Sequence, residues 1–516
     1  LSKKHTSEQA PEEVDVIIVG AGAGGLAAAA RASTGGLRVR VFEAMSGPGG
    51  KIGHETIDGV TFDTGPSLMT MTGRVREFFQ ACGARMEDEL ELIEHEPTFR
   101  YLWPDGAEFE VYQDLADTRA SVARSFGEPA AKEFDDFMNY SKRIWEAARP
   151  NFIESEAPNI TSMFKLGLTK LNQVVKIDPF RTMLQGIERH ISEPHLRDVM
   201  MRYATYNGSN PFTAPATLNC IAWVEMGEGG VGIKGGMRAL PDALERIGKK
   251  HGAEYIYDTP VSRILVEGNR VVGVETSSGA RHYASAVVAN ADAAHVIDTL
   301  LPSGVSHDIP SNSELSMSGW TGVLRMHHNK SRASVRAAHT VLFPEDYDEE
   351  FRDIFERDRP PQDPTVYLCD QSASHGISGW EDASPVFVMA NAPCEPAHTA
   401  RSPAVYQMLR DVVLARLRKH RLISARDELV WERTPTDLAA RFPGSRGAIY
   451  GAASNSQMAA FKRPPNKVSS LPGLYLASGS AHPGGGVPLC IMSGERAAEH
   501  LVRDLAKPNQ FIRRMP

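Results

Sequence analysis

The chain has 516 residues, 42% of them apolar, with a formal charge of −8. At about 150 residues per domain this length gives two to four domains or one elaborated one, and the apolar share argues against disorder. Acidic and basic residues mix along the chain with no basic stripe, which speaks against nucleic acid as a partner. The five cysteines are scattered, odd in number and free of any C-x-x-C pair. That fits a reducing compartment and disfavours both a disulfide framework and a zinc or other metal site.

In chain order, residues 1–13 read as a polar arm without the apolar core of a signal peptide. Val14–Val19 is a continuous apolar run, the mark of a buried parallel strand. Ala23–Ala32 is Ala-rich and helical, and Leu37–Phe42 alternates as a second strand. Glycines split the apolar window Val14–Ala32 into strand, turn and helix. No other run of about 18 apolar residues exists, so no transmembrane helix is expected. Phe99–Tyr112 reads as a hairpin around Pro104-Asp105-Gly106, followed by a mostly helical pattern to about His190.

The runs Tyr255–Tyr257, Arg263–Val266, Val271–Glu275 and Ala286–Ala289 read together as a β-meander. Residues 310–440 mix strands with helices such as Ala404–Leu417; Leu474–Ala477 is the last strand and Val487–Leu505 the last helix. Both ends of the chain are thus strand, glycines, helix. The expected organisation is an α/β nucleotide domain built from both termini (residues 14–95, 226–300 and 441–506). An α+β substrate domain with a helical lid region is inserted in it (96–225 and 301–440), and residues 507–516 form a tail.

Gly20, Gly22 and Gly25 follow the first strand and open the first helix in a G-x-G-x-x-G pattern, with Ala23 and Gly24 between. Gly20 permits the tight turn, Gly22 lets backbone approach a pyrophosphate, and Gly25 lets helix pack on strand. The helix N-terminus then offers N–H groups to phosphates. Glu43, 18 residues after Gly25 and followed by Ala44, ends the second strand, where an acid accepts from ribose hydroxyls. A bare glycine-rich helix start with a solvated Glu43 is the bland alternative.

A second glycine cluster, Gly47-Pro48-Gly49-Gly50-Lys51, comes next, and then Phe62-Asp63-Thr64-Gly65-Pro66-Ser67. Here the chain resembles the FAD-binding amine-oxidase and phytoene-desaturase superfamily. The resemblance implies FAD, a Rossmann-type FAD-binding domain, a pyrophosphate loop at Gly50 and Lys51, and backbone near Gly65, Pro66 and Ser67 along the isoalloxazine. Asp63 is expected to shape its own turn. Val261 matches the backbone contact to adenine.

Near the C-terminus the chain reads Ser478-Gly479-Ser480-Ala481-His482-Pro483-Gly484-Gly485-Gly486-Val487-Pro488. This H-P-G-x-G-x-P form resembles the bacterial and fungal phytoene desaturases. The resemblance implies a flavin cap from Gly479, Ser480, Gly486, Val487 and Pro488. Ser480 stands where many flavoproteins carry an Asp that holds the ribityl chain. Pro488 suits a first helical turn, and Ile491, Ala497, Ala498 and Leu501 give that helix an apolar face. His482 reads either as a packed loop histidine or as a group beside the flavin.

Arg202-Tyr203-Ala204-Thr205-Tyr206, with Pro211-Phe212 and Ala214-Pro215-Ala216-Thr217 after it, is similar to the hydroxycarotenoid 3,4-desaturase (methoxyneurosporene dehydrogenase) branch. The family's aromatic and proline before Gly235-Gly236 are replaced by Gly230-Val231-Gly232-Ile233-Lys234, which implies a differently shaped tunnel if that stretch lines it.

Desaturating a polyene asks little of side chains: the cofactor takes a hydride, a proton leaves the neighbouring carbon, and the protein supplies orientation and a dry channel. His482, Arg202 and Tyr206 are the candidates for proton handling or tunnel lining, and Arg202 also reads as one half of a structural salt bridge. The resemblance implies an apolar polyene substrate in carotenoid biosynthesis and oxygen or a quinone as electron acceptor. Met163–Ile177, apolar with interleaved lysines, reads as an interfacial helix or as a lid helix. A cytoplasmic protein peripherally bound to membrane is therefore expected. The alternatives are a flavin-dependent polyene saturase or cis–trans isomerase, amine or porphyrinogen oxidation, and a non-catalytic prenyl-protein binder.

Overall fold

The apolar run Val14–Val19 (β1) lies at the centre of a parallel sheet, where Val16, Ile17 and Ile18 are fully buried between two layers. The computed structural model describes residues 14–157, 176–310, 314–328, 337–456 and 463–506. β1 pairs in parallel with Val39–Phe42 (β2) on one side and with Arg281–Ala289 on the other; Glu254–Ile256 extends the sheet beyond β2 and Leu474–Leu476 beyond Ala289. Strands from the first fifty residues, the middle and the end of the chain thus share one sheet.

The expected four-strand meander is a three-strand one. Val261–Glu267, Arg270–Thr276 and the start of Arg281–Ala289 run antiparallel, while the strand at 254–256 sits at the far edge of the parallel sheet. The long third strand serves both: residues 281–283 pair with the meander and 284–289 with β1. Its apolar end, residues 286–289, is buried throughout and explains the switch, since two-sided burial favours a parallel neighbour.

The helix Ala23–Thr34 (α1) covers one face of the sheet and is almost entirely small and buried. The C-terminal helix Val487–Ala506 packs along it, with Ile491, Ala497, Ala498 and Leu501 inward as their spacing requires. Close approach depends on glycine: a Cβ on Gly494 would lie 2.0 Å from the Gly24 carbonyl.

A second, seven-stranded sheet runs Glu428–Arg433, Ser318–His327, Ala383–Ala392, Val366–Asp370, His339–Leu342, Phe99–Leu102, Glu108–Val111. The hairpin 99–111 closes one edge as its Pro-Asp-Gly turn predicts. Helices Leu115–Phe126, Glu128–Ala148 and Pro194–Arg202 pack beside it around an aromatic core containing Tyr101, Phe134 and Phe137. Most of the lysine-bearing stretch 163–177, the arm 1–13 and the tail 507–516 lie outside the described residues. Among the described residues no helix is long and apolar enough to cross a membrane.

Candidate active site

A cavity of about 890 Å³ runs from the end of β1 to the second sheet. At its start Gly20 turns with φ of +98°, and a Cβ there would meet the Asn290 carbonyl oxygen at 2.7 Å, so only glycine serves. The Gly22 N–H donates to Asn290 Oδ1 at 2.9 Å, and Asn290 Nδ2 donates to the Ala477 carbonyl. Asn290 therefore ties the glycine loop to the last strand. α1 begins with neither a side-chain cap nor an acid in its first turn. Its leading N–H groups are left for an anion.

Every residue expected at the cofactor site lines this cavity except Gly25. A Cβ on Gly25 would be 2.1 Å from the Gly20 carbonyl, so this glycine closes the turn and touches nothing in the cavity. Glu43 is buried at the end of β2. Its Oε2 accepts from Ala21 N–H at 2.5 Å and its Oε1 from Met45 N–H at 2.8 Å, which fixes the carboxylate on the cavity wall. Val261 and Ala44 line the same end.

Two buried cations face inward. Lys51 Nζ donates to the carbonyls of Ala448 and Ile449 at 2.8 and 2.9 Å. Arg463 donates to the carbonyls of Gly479 and Ala452 at 3.3 and 3.0 Å and packs against Gly484. Burial lowers the Lys51 pKa and pushes that of Arg463 down to about 10. Among the described residues neither makes an ion pair with a carboxylate. Two unpaired cations, an uncapped helix start and an acid near ribose distance in sequence are what FAD would meet: its pyrophosphate supplies the missing anions. Bound there, the flavin supplies a two-electron oxidation by accepting hydride.

Asp63 behaves as expected for a turn residue. Its Oδ2 accepts from Met237 N–H at 2.5 Å, ahead of the helix Ala239–Lys250, and burial raises its pKa to about 7. Ser480 does not imitate a ribityl-binding acid with a free hydroxyl. Its Oγ accepts from Ala293 N–H at 2.8 Å and pairs with Ser478 Oγ at 2.9 Å.

His482 is 2% exposed, its Nε2 lies 2.9 Å from the Ser155 carbonyl, and its own carbonyl accepts from Asn466. Burial, with Arg496 nearby, holds its pKa down at about 4. It is a neutral, packed imidazole on the cavity wall.

Arg202 does not form the direct salt bridge expected of it. Its Nη1 donates to the hydroxyls of Tyr206 (3.1 Å) and Tyr101 (3.4 Å), and the guanidinium lies 5.1–5.8 Å from the ring centres of Tyr206, Phe99, Tyr101 and Tyr367. The balancing charge is Glu225, reached through Tyr206, whose hydroxyl donates to Glu225 Oε2; Tyr203 donates to Oε1 at 2.8 Å. Burial raises the Glu225 pKa, while Tyr206, Tyr101 and Glu225 hold Arg202 charged against its own burial. Arg202 and Tyr206 both reach the cavity.

The stretch Gly230–Lys234 does not line the cavity. Gly232 instead packs on buried histidines: a Cβ there would lie 3.0 Å from His95 Nε2 and 3.1 Å from His375 Nδ1. Sequence reading missed Asn290, Glu225 and Arg463. Asn290 carries a usable signal, a polar residue directly after a buried strand; Glu225 and Arg463 carry none without the fold.

The glycine loop, the two-ended nucleotide domain and the cavity define a flavoprotein oxidoreductase. Residues 23–329 match the model of the flavin containing amine oxidoreductase family, and the chain belongs to that family. It is 32% identical to hydroxyneurosporene desaturase of Rubrivivax gelatinosus, over 95% of this chain and 93% of that protein. It is 30% identical to 1-hydroxycarotenoid 3,4-desaturase of Flavobacterium sp., over 94% and 98%. Among solved structures it is similar in fold to putrescine oxidase, with a TM-score of 0.60 at 16% identity, covering 95% of this chain and 99% of that one. The protein is an FAD-dependent oxidoreductase.

Proposed function

We propose that the protein is a carotenoid desaturase that removes hydride and proton from adjacent carbons of an apolar polyene, a 1-hydroxycarotenoid 3,4-desaturation in carotenoid biosynthesis. The observation that carries this reading is the wall of the cavity beyond the nucleotide end. Trp145, Phe152, Ile177, Leu218, Phe387 and Met389 give it an apolar surface suited to a long hydrocarbon. The relatives that act on hydroxylated carotenoids support the finer substrate. The chain's own part is to bind and orient the polyene, exclude water, and receive one proton.

The test is anaerobic incubation of the yellow holoenzyme with 1-hydroxylated and non-hydroxylated carotenoids. Bleaching of the flavin with a red-shifted product from the hydroxylated substrate is expected. Turnover without net flavin reduction would point to an isomerase, and a chemically reduced enzyme that shortens the chromophore to a saturase. Adding quinone or oxygen to the bleached enzyme identifies the electron acceptor by which one restores the yellow colour.

A peripheral position on the cytoplasmic face of the membrane belongs to the same reading, because the substrate is lipid-soluble. Ile177 and Pro179 line the cavity while Phe180, next in the chain, is 75% exposed, which supports docking beside this segment. Liposome flotation with Phe164, Leu168 and Leu171 changed to Ser tests it; unchanged flotation sinks the idea.

A further inference from the structure

Ser67, at the flavin end of the cavity wall, begins a chain of polar groups leading away from it. Ser67 Oγ is 2.5 Å from the Tyr367 hydroxyl, and that hydroxyl is 2.8 Å from His339 Nδ1. Ser67 and Tyr367 line the cavity; His339 does not, and it is fully buried. Its ring stacks on Phe99 and Tyr367 and meets the His95 ring edge-on at 5.5 Å. His375 lies next, against the Ser67 backbone, with its Nδ1 accepting from Ile233 N–H at 3.2 Å.

The three histidines share a property. His95 Nε2, His339 Nε2 and His375 Nε2 are all buried, and among the described residues none has a hydrogen-bond partner. A buried polar atom left alone is costly, and three in one cluster mark a place for water bridging them. Gly232 is what lets His95 and His375 approach the backbone between them.

We infer that Ser67, Tyr367 and His339 form a proton relay that carries the proton released by desaturation from the cavity to a water-holding pocket bounded by His95, His339 and His375. The inference rests on the desaturase reading. The balance is as follows. Hydride leaves one carbon with two electrons for the oxidised cofactor. The C–H bond on the neighbouring carbon breaks, and its electron pair becomes the new C=C bond. That proton goes to Ser67 Oγ as the Ser67 proton passes to Tyr367 and the Tyr367 proton to His339 Nδ1. His339, briefly an imidazolium, gives up its Nε2 proton to the pocket water.

Burial, together with the positive charge of Arg202, holds the His339 pKa well below its ordinary value, so it passes the proton on instead of keeping it. Tyr367 faces Ser67, Cys369, Arg202 and Glu225, and burial holds it neutral. Arg202, 5.8 Å from the Tyr367 ring, keeps a positive charge beside the path and opposes retention of the proton there.

The test uses holoenzyme and a 1-hydroxylated carotenoid. Tyr367→Phe keeps the packing and removes one hydroxyl; His339→Gln is the second break. Both are expected to keep their FAD and flavin spectrum and to form product roughly 10²-fold more slowly. The wild type should slow in D2O with a curved proton inventory, which becomes linear in Tyr367→Phe; a purely structural role would leave the inventory curved. A high-resolution structure of the wild-type holoenzyme should show ordered water within hydrogen-bond distance of His339 Nε2 and His375 Nε2. A dry cluster, or a Tyr367→Phe enzyme with wild-type rate and inventory, overturns the relay alone. A wild-type enzyme whose flavin stays oxidised with every carotenoid overturns the desaturase reading and the relay with it.

Discussion

The hydroxyl of Tyr206 joins Arg202 to Glu225: it accepts from Arg202 Nη1 at 3.1 Å and donates to Glu225 Oε2. One phenol thereby couples a buried cation to a buried anion that it does not touch. Removing only the anion leaves Arg202 buried without its counter-charge, which costs about 3–5 kcal/mol for a broken buried pair. Glu225→Ala is expected to lower the denaturation midpoint strongly. Glu225→Leu combined with Arg202→Met should recover much of that loss while still impairing turnover. If the single variant melts like wild type, the network carries no structural weight.

Lys51 and Arg463 face the cavity as cations whose described hydrogen bonds go to neutral acceptors. Charge-assisted bonds to a bound phosphate are worth about 1.5–3 kcal/mol. Lys51→Met and Arg463→Met should each weaken FAD binding by roughly 10- to 100-fold, with Arg463→Lys intermediate. Titration of apo-protein followed by flavin fluorescence measures it. Equal affinities in wild type and both variants would place the pyrophosphate elsewhere.

The nucleotide end was legible in sequence because backbone geometry dictates it. Gly20 and Gly22 are required by contacts of 2.7 Å that any Cβ would make with Asn290, and such constraints leave glycines at fixed spacing. The strand-helix pattern at both termini likewise announced a shared sheet. The catalytic end was less legible. Arg202, Tyr206 and Glu225 meet across a helix end and a turn 19 residues apart, and Ser67 meets Tyr367 from 300 residues away. No local period records such meetings. Tyr255–Tyr257 was read into the meander because short apolar strands look alike; only the partner β2 distinguishes them.

Gly494 sets the distance between α1 and the C-terminal helix. A Cβ there would stand 2.0 Å from the Gly24 carbonyl oxygen, and backbone on both sides cannot yield cheaply. Overpacking of this kind costs about 1–3 kcal/mol, and here it also displaces the helix start that caps the cavity. Gly494→Ala should therefore purify with much less flavin per protein, by absorbance, than Gly73→Ala, an exchange on an open helix surface. Equal flavin content in the two would mean that the helices can separate without disturbing the site.

His482 gives a pH dependence of known sign. Its folded pKa of about 4 lies below the ordinary 6.5, because burial penalises the charged ring. The stability it contributes is fully present above pH 6.5 and is lost as pH falls through 4, about 3 kcal/mol in all. His482→Gln should flatten the fall in denaturant midpoint between those values while keeping FAD and full turnover. A large loss of turnover with FAD retained would make His482 a working group and not a packed one.

Asp63 tilts the balance in the other direction. Its folded pKa of about 7 lies above the ordinary 3.8, again through burial, and only Oδ2 finds a donor, the Met237 N–H. Its contribution is fully present below pH 3.8 and is lost as pH rises through 7, up to about 4 kcal/mol. Asp63→Asn keeps the acceptor for Met237 and removes the ionisation. The variant should match the wild type near pH 3, begin to exceed it by pH 5 and exceed it most near pH 8 in denaturant midpoint. Asp63→Ala lacks the acceptor and should fall below wild type at pH 3 by about 1 kcal/mol, the value of a lost helix cap. An Asn variant that is less stable than wild type at pH 8 would show that Asp63 works as a carboxylate, paired with Arg238, and not as a neutral acid.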